Sequence, residues 1–485
     1  MVRRNGAPSG CLPSVVVLPL RAARRVVMGR ARVREEIGRG VALRGRVWNG
    51  IADLPFEGVV VIGMDGRVAA VGPQDSVVLP DGLRVIDCVW IGPGVTDAHV
   101  HLAATATSGH DELRAGLVAV RDLGSPVERL AHWRVAAPLV VVGAGPAVVG
   151  APDPPPHPDP HGDRTDLDQD VRGGDVRGGD VRGRDAAGSP RGRRLALRRA
   201  PAGRMSGGDQ MTADGRTPDG LTPGRLNGEP GRPGGARTGR GGSDREESGR
   251  DPFNGDGQAV VDSPARARRA VTSLAADGVD LIKVCLGGGE GTAPSRRSPL
   301  PYSELAVVVQ AAHAAGLPVT AHALTVTAVE LALRAGVDEL AHVPLELLPP
   351  ETVGRIAAAG VPVVSTLQCH SGAGPAPGRN AALLHRAGVP LIYGTDAGGA
   401  GNRPPGVDPR ELDRLAYAGL GRLGALRAST SGSARAAGFD GQRPSGRIEV
   451  GGYAAVVGLP ADPLVEPAAW RHPTVVVNGQ RIITA

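Results

Sequence analysis

Asp97-Ala98-His99-Val100-His101 sets two imidazoles two residues apart. On a strand, residues i and i+2 point to the same side, so both rings can meet one ion. A bare pair of this kind is weak evidence, because core and surface histidines are common. Four more polar residues close short apolar runs in a comparable way. They are Lys283 in Asp280-Leu-Ile-Lys-Val, His322 in Val-Thr-Ala-His, His342 in Glu-Leu-Ala-His and Asp396 in Tyr-Gly-Thr-Asp-Ala-Gly. Singly, each reads as a satisfied buried histidine or a helix-capping aspartate. Together with His99 and His101 they make a donor set. Imidazole and carboxylate suit Zn²⁺ and similar divalent ions, and a position left open keeps such a site catalytic. His110 and His370, after the first and seventh runs, join Tyr302 and Gln368 as candidates for substrate contact.

Lys283 is the only lysine among 55 basic residues. Mutational pressure toward arginine explains such a bias. Arginine stays charged and is a poor nucleophile, whereas a buried lysine can release its proton and react. A lysine that survives here marks a place arginine does not fill; chance survival is the plain alternative.

The elements that must carry these side chains appear as a rhythm. Eight short apolar runs recur at 95–102, 117–123, 139–143, 279–286, 317–324, 337–343, 361–367 and 389–394. Several follow an Ala-rich stretch that ends in Ala-Gly or Asp-Gly. Helix, glycine stop, buried strand is the repeating unit of parallel α/β folds. Eight units predict a (β/α)8 TIM barrel, whose chemistry sits at the C-terminal ends of the strands. Residues 41–92 and the C-terminal 441–485 read instead as short strands with turns at Asn49-Gly50, Asp65-Gly66 and Asn478-Gly479. The two segments are expected to pair into one small β domain. The barrel then occupies 93–151 and 258–440.

Charge and composition locate what does not belong to this plan. Residues 1–40 hold nine Arg and two Glu, while the whole chain is +6. The remainder is near neutral, so the body lacks the basic face a nucleic-acid binder needs. Residues 1–40 read as a basic extension, expected to be disordered, with Met28 a candidate true start. Leu12 to Leu20 is apolar but too short, and too interrupted by proline, for a membrane span of about 18 residues. Gly (73) and Pro (43) are in excess, and much of that excess lies in 152–257. That stretch carries 18 Arg against 18 acidic residues and a VRGGD repeat. With little to bury, it predicts a disordered insertion. Four scattered cysteines without CxxC exclude a disulfide framework and fit a reducing, cytoplasmic setting.

Several motifs in order resemble the metal-dependent amidohydrolase superfamily. They are Pro93-Gly-Val-Thr-Asp-Ala-His-Val-His101, Ala119-Val-Arg-Asp-Leu-Gly124, Asp280-Leu-Ile-Lys283, Thr320-Ala-His322, Ala335-Gly-Val-Asp-Glu-Leu-Ala-His342 and Gly394-Thr-Asp-Ala-Gly398. The C-terminal Ser445-Gly-Arg-Ile-Glu-Val-Gly-Gly452, Ala461-Asp-Pro-Leu and Val477-Asn-Gly479 match as well. The likeness spans 41–151 and 258–485. It is greatest to the imidazolonepropionase-like and Xaa-Pro dipeptidase-like branch with a bridging lysine. Imidazolonepropionase itself is mononuclear and has no such lysine, so Lys283 argues against that activity.

The resemblance implies a barrel with a β-sandwich built from both chain ends. It implies two divalent metal ions, with zinc the expected metal, and a CO₂-derived carbamate on Lys283 that bridges them. His99, His101 and Asp396 would hold the deeper ion, and His322 and His342 the other. A carbamate needs a neutral primary amine, which gives the sole lysine a reason. The implied reaction is hydrolysis of an amide, peptide or cyclic amide bond in a small molecule. A metal-bridging hydroxide attacks and Asp396 shuttles the proton. No nucleic-acid or membrane partner is expected, and a homo-oligomer is compatible with this reading. The alternative is a catalytically inactive scaffold on the same fold. Two departures stand out: Gly451-Gly-Tyr-Ala-Ala where the family usually shows Ala-Asp, and the insertion itself.

Overall fold

The computed structural model describes residues 40–104, 109–151, 258–287, 300–398, 406–439 and 441–484. Residues 1–39 of the extension 1–40, and the insertion 152–257, both segments expected to be disordered, lie outside the described residues; Gly40 is described and buried.

Seven strands from both chain ends make one sheet. They are β1 (Val41–Val47), β2 (Phe56–Ile62), β3 (Val68–Pro73), β4 (Arg84–Pro93) and, late in the chain, β15 (Ala455–Leu459), β16 (Val475–Asn478) and β17 (Arg481–Thr484). Their order is β17-β16-β15-β4-β1-β2-β3. Only β1 and β4 run parallel. β15 lies antiparallel to β4, with Val457 opposite Gly92. The expected pairing of the two termini is therefore present. Successive side chains alternate between faces. Val41, Leu43, Val60 and Ile62 enter one apolar cluster, while Ala42, Val59 and Val61 enter another. Turn chemistry follows the sequence. Asn49 Oδ1 accepts from the amides of Ile51 and Ala52, and Asp65 Oδ1 from that of Arg67. At the last hairpin Asn478 still pairs with Arg481, so the turn itself is Gly479-Gln480, one residue later than the dipeptide suggests.

The middle of the chain is parallel throughout. β5 (Val95–Val100), β6 (Leu117–Asp122) and β7 (Val140–Gly143) form one sheet. A second has the order β14-β13-β12-β11-β10-β8-β9. It comprises β8 (Val148–Gly150), β9 (Ala259–Val261), β10 (Ile282–Cys285), β11 (Val319–His322), β12 (Glu339–Leu340), β13 (Val363–Val364) and β14 (Leu391–Ile392). All eight apolar runs carry one of these strands. β8 and β9 are additional; they pair with each other across the insertion, which thus lies between them. Backbone bonds join the two sheets beside β5 and β14. Ala98 N reaches Tyr393 O at 3.2 Å, Asp396 N reaches His99 O at 2.8 Å, and His101 N reaches Ala397 O at 2.7 Å.

The helices between strands bury one stripe and stop where the sequence says. In Val326–Ala335, Thr325 caps the start by accepting from Ala328 N, and Gly336 ends it at φ 80°. Pro350–Ala359 stops at Gly360 in the same way. Among the described residues, no helix is long and apolar enough to cross a membrane.

Candidate metal centre

The strand ends gather buried imidazoles around one carboxylate. His99 on β5 is fully buried and His101 nearly so. His99 Nδ1 lies 3.0 Å from the Ala341 carbonyl oxygen. A carbonyl can only accept, so Nδ1 carries the proton and Nε2 keeps its lone pair. That Nε2 is 3.3 Å from His101 Nε2 and 3.5 Å from Asp396 Oδ1. His101 Nε2 is 3.1 Å from the same oxygen.

Local backbone explains how Asp396 gets there. A Cβ on Gly394 would sit 2.4 Å from Val364 Cγ1 and 3.0 Å from His99 Cβ, so only glycine lets the end of β14 approach β5. Asp396 then adopts φ 56°, a left-handed conformation that aspartate tolerates better than most residues. Asp97 fixes both sides of this contact. Its Oδ1 accepts from His99 N and Thr395 N, and its Oδ2 accepts from Thr395 Oγ1 at 2.6 Å.

His342, at the end of β12, belongs to the same cluster. Its ring centre is 4.6 Å from that of His99 and 4.7 Å from that of His322. Its Nδ1 is 2.9 Å from Thr366 Oγ1. The His370 ring stands edge-on to it at 5.2 Å. Cys369 Sγ donates to Asp396 Oδ2 at 3.2 Å. Lys283 on β10 is fully buried and lies level with Thr320 of β11.

Electrostatics prepares the set for a cation. Burial is the main cause that holds the His99 imidazole well below its ordinary value; the Lys283 charge adds to it and Asp396 opposes it. Burial, then His99 and His322, does the same to His342. Burial alone would raise the Asp396 carboxyl. The His101 hydrogen bond and the neighbouring histidines outweigh it and hold the group well below the usual carboxylate value. Neutral imidazoles and an ionised carboxylate are the protonation states that ligands need. Two sets of three donor groups lie mutually within 4.8 Å among the described residues: His99, His101 and Asp396, and His342, His370 and Asp396. The residues present fit a divalent cation.

A polar layer supports the cluster. Arg121 of β6 donates to the Ala98 and Ala436 carbonyls and pairs with Glu339 Oε1 at 2.5 Å. Thr320 donates to the same oxygen at 2.8 Å. Asp122 accepts from Leu102 N, Gly124 N, Ser125 N and Ser125 Oγ, which ties the chain after β5 to the turn after β6.

The structure thus brings together His99, His101, His342 and Asp396. His322 packs on His342 but stands outside both three-donor sets, and Lys283 lies buried nearby. Tyr302 and Gln368 are turned elsewhere. The Tyr302 ring is stacked under Arg334, and Gln368 Oε1 accepts from Arg414. Exposed His110 begins the short helix His110–Arg114. Sequence reasoning missed Asp97, Thr366 and Glu411 as parts of the site's frame. Asp97 carried a signal, standing within the same motif as the two histidines; the other two carried none.

Parallel strands that present buried imidazoles and a carboxylate at their ends define a class of α/β proteins built to hold a divalent cation. The chain belongs to the amidohydrolase family, whose model matches residues 230–482, just over half of its length. It is accordingly a hydrolase of carbon–nitrogen bonds. None of the curated proteins matches it. Several solved structures share its fold. A Xaa-Pro dipeptidase with bound methionine is 16% identical, with 92% of this chain and 100% of that one covered and a TM-score of 0.62. A putative prolidase from Bifidobacterium longum is 21% identical, with coverages of 92% and 95% and a TM-score of 0.61. Ochratoxinase from A. niger is 16% identical, with coverages of 92% and 96% and a TM-score of 0.61.

Proposed function

We propose that the protein is a metal-dependent enzyme that hydrolyses an amide, peptide or cyclic amide bond in a small molecule. The observation that carries this reading is the convergence of His99 Nε2, His101 Nε2 and Asp396 Oδ1 on one spot. The likeness to a Xaa-Pro dipeptidase and a putative prolidase supports a place near that branch. The parallel strands are read as one closed (β/α)8 barrel. The bonds between β5 and β14, with Asp280 N to Gly143 O at 2.9 Å, support closure. The seven-stranded sheet is read as the β-sandwich domain.

His99, His101 and Asp396 would hold one cation, taken as zinc. His322 and His342 would hold a second, and Lys283, as a carbamate, would bridge them. Such cations supply a water of lowered pKa and polarise the carbonyl to be attacked. The chain's own residues do the rest. Ala341 O holds His99 with Nε2 inward, and Asp97 holds Thr395 so that Asp396 faces the imidazoles. The Asp396 carboxylate takes the proton of the attacking water and returns it to the leaving nitrogen. Cys369 donates to the second oxygen of Asp396 and so helps to hold the carboxylate in place. The four scattered cysteines, with no CxxC among them, support a reducing, cytoplasmic setting.

The test is metal content of freshly purified protein, wild type and Lys283→Arg, expressed with bicarbonate and zinc. The expectation is about two metal ions per wild-type chain and one or none in the variant. Folded wild type without metal overturns the reading.

A further inference from the structure

We propose that His370 is an additional imidazole donor of the second cation position, sharing Asp396 with the first, and that Thr366 is the positioning residue that aims it and His342. The inference rests on the metal-dependent reading above and changes the composition of its second position. His322 and His342, with Lys283 bridging, are the residues that the sequence likeness assigns there; His370 is not among them.

Three observations carry the inference. The first is proximity. One donor atom each from His342, His370 and Asp396 lies within 4.8 Å of the other two. His322, although its ring touches that of His342, completes no such set among the described residues.

The second is orientation. His370 Nδ1 is 3.2 Å from the Thr366 carbonyl oxygen, which can only accept. Nδ1 therefore carries the proton, and Nε2 presents its lone pair. His342 Nδ1 is 2.9 Å from the Thr366 hydroxyl. In the ligating tautomer that Nδ1 donates to Oγ1. A metal-binding histidine is ordinarily steered by such a partner on its other ring nitrogen. Here one residue serves two rings: its hydroxyl meets His342 Nδ1, and its carbonyl at 3.2 Å, with the hydroxyl again at 3.4 Å, meets His370 Nδ1.

The third is backbone. Thr366 sits at φ 44°, a region a β-branched residue rarely enters. It is fully buried and held from both sides. Its own N–H donates to Gly394 O. Its neighbours are gripped by the Glu411 carboxylate, which accepts from Ser365 Oγ at 2.5 Å, Leu367 N at 3.0 Å and Gln368 N at 2.5 Å. A plain loop needs no β-branched residue in this conformation. A turn that must offer a carbonyl to one imidazole and a hydroxyl to another does.

The experiment titrates the full-length, EDTA-stripped protein with Zn²⁺ against a chromophoric chelator and resolves both dissociation constants. Variants are His370→Ala, His370→Gln, Thr366→Val and Thr366→Ser, with far-UV circular dichroism as the fold control. The expectation for both His370 variants is one constant weakened on the order of 100-fold and the other unchanged, since even outer partners matter about 10–100-fold. Thr366→Val should weaken the same constant about 10-fold, and Thr366→Ser should stay near wild type. If folded His370→Ala and His370→Gln bind two ions as wild type does, the inference falls while the hydrolase reading stands. If wild type takes up no zinc, both fall together.

Discussion

His99 and His342 are held neutral by burial, and that choice has a price in acid. Their folded values lie well below 6.5, whereas an unfolded histidine titrates near it. Below that pH the unfolded chain binds more protons, so stability falls as pH falls. Asp396, depressed below 3.8, acts in the same direction at lower pH: its contribution is complete above 3.8 and is lost as pH drops through the folded value. With metal removed by EDTA, urea unfolding should show marked loss of stability from pH 7 to pH 5. The slope below pH 6 should approach about 1.4 kcal/mol per pH unit for each histidine. Equal stability at both pH values would show that these imidazoles are not held neutral. At this scale much of the cluster was legible. His99, His101, His342 and Asp396 are chemically distinctive and stand at the ends of apolar runs. Thr366 lies in Val-Ser-Thr-Leu and Glu411 in Arg-Glu-Leu, where nothing marks them. Their meaning comes from contacts some 44 residues away in sequence, such as Glu411 to Leu367.

The turn after β13 shows how an element can be held in a conformation it would not choose. A left-handed Thr366 is disfavoured by about 1–3 kcal/mol. Hydrogen bonds to a charged acceptor contribute about 1.5–3 kcal/mol each, and Glu411 receives three. The carboxylate therefore outweighs the strain. Glu411→Ala is expected to lower stability by about 3–5 kcal/mol, measured by urea denaturation of the metal-free protein, because buried donors lose their partner. A change below about 1 kcal/mol would mean that packing alone fixes the turn. The eight apolar runs were readable because buried parallel strands are continuously hydrophobic. β8 and β9 were not. Each has three residues, too few for any period, and each is defined by pairing with a segment more than a hundred residues distant.

Across the whole molecule, the chain crosses between its two halves many times. β4 pairs with β15, β8 with both β9 and β10, and β5 bonds to β14. The pairing of the chain ends was visible in the matching strand-and-turn texture of 41–92 and 441–485. The seven-strand order was not, since register emerges only when both partners are in place. The β8–β9 pair has one further consequence. It joins the polypeptide on either side of 152–257 through backbone hydrogen bonds rather than through the peptide bonds between, so the pairing predicts that the covalent link there can be cut. Residues 1–151 and 258–485, co-expressed as separate polypeptides, should find each other as a split enzyme. They should co-purify through a tag on one fragment and take up metal as the intact chain does. Fragments that remain apart would show that the link is needed to bring β8 and β9 into register.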